Sequence, residues 1–312
     1  MSKDSSDDLL WEEKMKKNRI LGMPSISAIG VIVFCVIGII IGSFFDFNIS
    51  SALANKTKLG EWFANYGGFF SYCLYPIAGM CIFKGLNSKG TKWNKLAWGI
   101  LILSYFMAVY YCNSYFGKSL RAMLDYEAGV SPFIKSALCY SIWVILLLWI
   151  PPVMNKILDE KKSNLLIAVG AVILVAGVTS DWVNLWLKQV CSRPRFKYLV
   201  TLDNPLDEFR NWWQMVPNLA GSNDLLKSWP SGNMTIATMM FSLPLLTDVI
   251  KKKNESIRWG LFIFACIWVI IYGYNRIHMS AHFLTDVCFG TLITYLIYAV
   301  CSIIIMTKGI NK

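Results

Sequence analysis

The residues of this chain best suited to chemistry gather in three short clusters late in the sequence. The first is Lys188-Gln189-Val190-Cys191-Ser192-Arg193-Pro194-Arg195. The second is Pro230-Ser231-Gly232-Asn233, and the third is Arg276 followed by His282 and Asp286. Fixed cations of this kind suit a phosphoryl group, whose charge is spread over several oxygens. Arginine's planar fork binds two phosphate oxygens at once, which lysine cannot copy. A Ser-Gly pair opening a helix adds a hydroxyl, a closely approaching backbone amide and the attraction of a helix N-terminus for anions. Arg193 is read either as a contact to a lipid head group or as a solvated loop charge.

The clusters resemble the three motifs of the type 2 phosphatidic acid phosphatase superfamily, Lys-x6-Arg-Pro, Pro-Ser-Gly-His and Ser-Arg-x5-His-x3-Asp. Lys188 and Arg195 fit the first, with Phe196 in place of its proline. Pro230, Ser231 and Gly232 fit the second. Arg276, His282 and Asp286 fit the third, with Asn275 where serine is usual. The resemblance covers about residues 164–307. It implies that Lys188, Arg195, Ser231, Gly232 and Arg276 cradle the phosphate, and that His282 attacks phosphorus to give a phosphohistidine that water hydrolyses. Asp286, four residues on and expected on the same helix face, would hold the other ring nitrogen.

The family's second motif ends in the acid that protonates the leaving group, and here that place is held by Asn233, whose amide yields no proton near neutral pH. Three explanations stay open: a substitution introduced to trap substrate, a natural enzyme whose leaving group needs no acid, or a protein that binds lipid phosphates without turning them over. A lipid monophosphate released from a diphosphate would be such a leaving group. His278 is read as a packing or interfacial residue. Asp181 and Asn184 are read as orienting Lys188 or capping its helix.

Membrane-spanning helices must position these clusters. Of 312 residues, 55% are hydrophobic and 16% charged, too few charges for a soluble domain of this size. Eight apolar stretches approach the roughly 20 residues that cross a bilayer, at about 25–46, 62–86, 94–112, 134–154, 164–187, 233–250, 258–274 and 285–307. The sixth and seventh are the shortest, and Pro244 is expected to kink the sixth. Alternate loops hold 18 of the 30 basic residues, the cytoplasmic pattern, which puts both termini inside. Seven of the other 12 crowd into the stretch from Lys188 to Trp229 and at Arg276, where the topology rule disfavours them and a bound phosphate explains them. The net charge of +11 forms no single stripe, so nucleic acid is not expected as a partner. Nine scattered cysteines read as core residues, with Cys112 and Cys191 as the one candidate disulfide pair.

The expectation is therefore an all-α polytopic membrane protein of about eight transmembrane helices, with a six-helix-type PAP2 core whose catalytic part is the C-terminal half. Residues 1–21 form a polar cytoplasmic segment, in which Asp8 to Ile20 could instead lie on the membrane as an amphipathic helix. Residues 22–157 hold four helices with nothing diagnostic of function, 163–307 the catalytic region with its extracytoplasmic loop 188–229, and 308–312 a cytoplasmic tail. The expected function is a lipid phosphatase acting on a lipid phosphate or polyprenyl diphosphate, without cofactor or metal, at the outer face of a bacterial plasma membrane. Undecaprenyl diphosphate and phosphatidic acid are the kinds of substrate implied. Phosphotransfer to a lipid or sugar acceptor and non-catalytic binding are the alternatives.

Overall fold

The computed structural model describes residues 19–124, 132–252 and 254–310. The polar segment 1–18, Lys253 and the last two residues, on which part of the topology reading rests, lie outside them. Of the reading of Asp8 to Ile20, only Arg19 and Ile20 are described; they form strand β1 (Arg19–Ile20), paired antiparallel with β2 (Met23–Pro24).

The other regular elements of the described residues are helices. The helices are α1 (Ser25–Leu53), α2 (Lys58–Tyr66), α3 (Phe69–Tyr72), α4 (Leu74–Asn87), α5 (Asn94–Leu124), α6 (Pro132–Leu147), α7 (Ile150–Ile157), α8 (Ser163–Cys191), α9 (Phe196–Leu199), α10 (Pro205–Glu208), α11 (Gly232–Thr238), α12 (Leu243–Leu246), α13 (Glu255–His278) and α14 (Leu284–Ile310). Seven stretches among the described residues are long and apolar enough to cross a membrane.

Three departures from the sequence reading have local causes. The second span is not one helix but α2, α3 and α4 in succession, interrupted at the Gly67-Gly68 pair and at Cys73, three residues before Pro76. The fourth breaks between α6 and α7, just ahead of Pro151 and Pro152, which cannot donate backbone hydrogen bonds. The sixth is not one long helix: Gly232–Leu246 runs as α11, a 3-10 stretch (Met239–Ser242) and α12 with Pro244 in its first turn, and the chain still passes from Ser231 at one end of the bundle to Asp248 at the other. At 1.5 Å per residue such a piece covers about 22 Å, short of a ~30 Å hydrocarbon core. The seventh, expected to be short, is the 24-residue α13. Of the tail expected at 308–312, residues as far as Ile310 continue α14.

One apolar core runs through both halves of the chain, from Tyr72 and Tyr75 through Val169 and Ile173 to Tyr295 and Tyr298. Helix α8 packs on α4 and α14, and α14 also packs on α1. Cys112 and Cys191 are both buried and free, so the candidate disulfide is not formed. The end of the bundle that holds the first residues of α1 is tied by basic side chains to backbone and carboxylates. Lys84 Nζ donates to the Asn155 carbonyl at 2.8 Å, and Lys162 Nζ to those of Asp248 and Ile250 at 3.0 and 2.9 Å. Arg258 pairs with Asp248 at 2.7 Å.

Helix α1 meets α14 through a stripe spaced at three and four residues, Ala28, Val31, Cys35, Gly42, Asp46 and Ser50, while Ile37, Ile41, Phe44 and Phe45 face outward. Small residues permit the approach. A Cβ on Gly42 would stand 2.7 Å from Thr285 Cγ2 and 2.7 Å from Asp46 Oδ1, whereas one on Gly30 would meet nothing within 4 Å. Gly42→Ala is expected to lower the thermal midpoint in detergent, by about 1–3 kcal/mol of overpacking. Gly30→Ala on the same helix should leave it unchanged or slightly raised. Equal shifts for the two variants would contradict the packing.

Candidate active site

All three clusters lie at one end of the bundle. Lys188 sits in the last turn of α8, which ends where Ser192 adopts a left-handed backbone with φ 45°. Lys188 Nζ donates to the Lys227 carbonyl at 2.8 Å. Arg195 is drawn to the same loop: its Nε and Nη2 donate to the backbone and side chain of Asp224 at 2.9 and 3.0 Å. Burial alone would raise the Asp224 carboxyl pKa, but the charges of Arg195, Lys188 and Lys197 outweigh it and hold the group below its usual value. Ser231 opens α11, and its amide donates to the Asp286 carbonyl at 3.0 Å. Gly232 faces Asn184 and Lys188, so closely that a Cβ would lie 3.1 Å from Asn184 Oδ1. The amide of His282 donates to the Arg276 carbonyl at 3.2 Å, closing the turn between α13 and α14.

The geometry of His282 differs from the sequence reading. The residue is not helical: α13 ends at His278 and α14 begins at Leu284, so a four-residue spacing does not put His282 and Asp286 on a shared helix face. The His282 Nδ1 lies 2.7 Å from the Ser228 carbonyl oxygen and 3.8 Å from Asp286 Oδ2. A carbonyl only accepts, so Nδ1 carries the proton and Nε2 keeps the basic lone pair. Asp286 acts one step behind. Its carboxylate accepts from Ser228 Oγ at 2.5 Å, from the Phe283 amide at 2.9 Å and from Arg193 Nη1 at 2.6 Å. Phe283 precedes the first helical residue, so Asp286 reaches back to cap its own helix. Burial pushes the His282 pKa down to about 3; Asp286 opposes the shift and the charges of Arg195 and Lys188 reinforce it.

Arg193 is neither a head-group contact nor a solvated charge. It is 1% exposed, with the ring of Phe283 4.2 Å from its guanidinium carbon. Its Nη2 meets Asp46 at 2.9 Å, its Nη1 meets Asp286, and its Nε donates to the Arg210 carbonyl at 2.7 Å. Every branch of the guanidinium is thus engaged inside the protein. Arg276 differs: Nη2 donates to Asn275 Oδ1 at 2.7 Å, but its buried Nε has no protein partner, and neither has the buried hydroxyl of Ser231. These two donors lie beside Lys188 and Arg195, an arrangement that suits an anion. Asn233 beside them is half-buried.

Residues 163–310 match the family model of the PAP2 superfamily. The C-terminal half of the chain belongs to the PAP2 superfamily. No curated protein and no solved structure matches the chain. Two of the three departures from the PAP2 motifs, Phe196 and Asn275, have structural counterparts. Phe196 packs edge-on against Phe47 and Phe283. Asn275 holds Arg276 through its oxygen while its amide donates to the Gly60 carbonyl at 3.1 Å, joining α13 to α2. His278 packs as read, with Nδ1 2.9 Å from the Leu53 carbonyl oxygen and its ring stacked on Tyr274. Asn184 lies 3.5 Å from the Pro230 carbonyl oxygen, beside Lys188 without bonding it.

Four residues were missed as parts of this end of the molecule: Ser228, Asp224, Asn275 as a clamp, and Asp46. Asp46 alone carried a signal, being the one acidic or basic side chain in 29 residues of apolar helix.

A depressed histidine has a definite signature. The folded protein keeps His282 neutral down to about pH 3, while the unfolded chain protonates near 6.5, so between these values the unfolded state binds the extra proton and stability falls as the pH is lowered. The chain has only two histidines, and histidine-selective NMR with His282→Ala for assignment should show the His282 ring neutral, with its proton on Nδ1 alone, from pH 8 to 5. A midpoint near 6.5 would contradict the geometry.

Proposed function

We propose that the protein is a membrane phosphohydrolase that removes phosphate from a lipid diphosphate or lipid phosphate through a phosphohistidine at His282. The observation that carries this reading is the neutral His282 ring, with Nδ1 committed to Ser228, beside Ser231 and Arg276 donors that have no protein partner. The Nε2 lone pair forms a bond to phosphorus while the bond to the lipid-side oxygen breaks and its electron pair leaves with that oxygen. Lys188, Arg195, Arg276, Ser231 and the Gly232 amide neutralise charge on the equatorial oxygens. Water then attacks the phosphohistidine, phosphate departs, and Nε2 is restored.

Asn233 makes the leaving group decisive. An alkoxide leaving a monophosphate ester needs a proton, and an amide supplies none; a lipid monophosphate leaving a diphosphate departs as a stable anion. A diphosphate also suits the wider charge, since Lys197 lies within electrostatic range of Arg195, Lys56 and Arg276. The uneven lysine distribution supports a site on the extracytoplasmic face of a plasma membrane with both termini inside. One observation, Asn233 itself, favours a second reading: a protein that holds phosphate lipids without turnover.

Phosphate release from a prenyl diphosphate and from phosphatidic acid separates these readings. The protein should release phosphate from the diphosphate, Asn233→His should gain ~10²-fold or more on the monophosphate, and His282→Ala should be inactive on both. No release from either lipid by the unsubstituted protein and by Asn233→His would overturn hydrolysis and leave binding.

A further inference from the structure

We infer that Asp46, which lies outside the PAP2 match, is a positioning residue of the active site and makes the first transmembrane helix part of the catalytic unit. Its carboxylate is 2% exposed and takes three donors, none from its own helix. Arg193 Nη2 donates at 2.9 Å, the Thr285 amide at 3.1 Å, and the Thr285 hydroxyl through a short bond. Thr285 lies in the first turn of α14, whose leading amides lack intrahelical partners, so Asp46 satisfies one of them from another helix. The same hydroxyl accepts from Arg193 Nη1 at 2.8 Å, closing a buried ring of Asp46, Arg193 and Thr285.

The ring connects to the nucleophile without a gap. Arg193 Nη1 holds Asp286 Oδ1, Asp286 Oδ2 accepts from Ser228 Oγ, and the Ser228 carbonyl holds His282 Nδ1. The Ser228 amide donates to the Arg193 carbonyl at 2.9 Å, so Arg193 fixes Ser228 through its backbone as well. Asp46 and Asp286 therefore share one guanidinium, and the direction of Arg193 is set by both. Further contacts bind α1 to the loop that carries Arg193 and Arg195: Trp212 Nε1 donates to Ser43 Oγ at 3.0 Å, and Phe47 packs against Phe196 and Phe209. Asp46 hydrogen-bonds Arg193 and Thr285 and not Lys188, Arg276 or Ser231, so its influence reaches the chemistry through Arg193 and α14.

The kinetic part of the test rests on the phosphohydrolase reading; the spectroscopic part does not. Asp46→Asn keeps the shape and an acceptor for the Thr285 amide but sets an amide or an uncharged oxygen against Arg193. With the prenyl diphosphate as substrate, kcat should fall by ~10²-fold, the cost of a misplaced reacting group, while KM stays within about threefold. In parallel, ring ¹⁵N signals of His282 should lose the single Nδ1-protonated form. If the unsubstituted protein releases no phosphate, the phosphohydrolase reading fails, and the ¹⁵N signals of the two proteins still decide the role of Asp46. Should Asp46→Asn not fold, Thr285→Val, of nearly the same volume, removes the shared hydroxyl, and the same readouts apply. Unaltered kcat with unaltered His282 signals in a folded variant, even with a lowered thermal midpoint, would overturn the inference and leave Asp46 as packing alone.

Discussion

A guanidinium buried between two carboxylates constrains everything at the reactive end of this protein. Arg193, Asp46 and Asp286 are each at most 2% exposed. Removing such charges from water is costly, and the cost is offset only when geometry is good and the remaining donors and acceptors are filled. Here they are filled: Phe283, Thr285 and Ser228 donate to the carboxylates, and the Arg210 carbonyl takes the last Arg193 donor. The arrangement tolerates few alternatives, which gives a turn between two helices a fixed shape.

From that shape follows the state of the histidine. The ring is not held directly by the carboxylate four residues on; it is held by a backbone carbonyl whose residue the carboxylate grips through its hydroxyl. A neutral acceptor fixes the tautomer, and burial together with the charges of Arg195 and Lys188 outweighs the opposing pull of Asp286 and keeps the ring uncharged. The cations then divide into two kinds. Arg193 is spent inside the protein, while Arg276 and Lys188 keep donors at the reactive end. The lysines and arginine at the other end, Lys84, Lys162 and Arg258, are engaged in tying helix ends together.

The sequence disclosed the membrane helices and the three clusters because both depend on residue type over short spans: apolar length for one, motif spacing for the other. Their wiring was not legible. Arg193 and Asp46 are 147 positions apart, and His282 and Ser228 are 54 apart, so no local pattern could pair them. Arg193 looked like a loop charge because nothing in Ser192-Arg193-Pro194 reveals that the loop folds inward under Phe209 and Phe283. The expectation that His282 shares a helix face with Asp286 failed because α14 starts two residues later, capped by Asp286 itself. The sixth span was read as too long because its apolar composition continues past Leu246 while its helix does not.

The central claim is that His282 receives the phosphoryl group on Nε2, because Nδ1 is committed to Ser228. Rapid quenching of the protein with a phosphate-labelled prenyl diphosphate, followed by alkaline digestion and separation of the two phosphohistidine isomers, measures this directly. The account predicts acid-labile, base-stable label on His282, all of it on Nε2, and none in His282→Ala. Label on Nδ1, or on another residue, would contradict it.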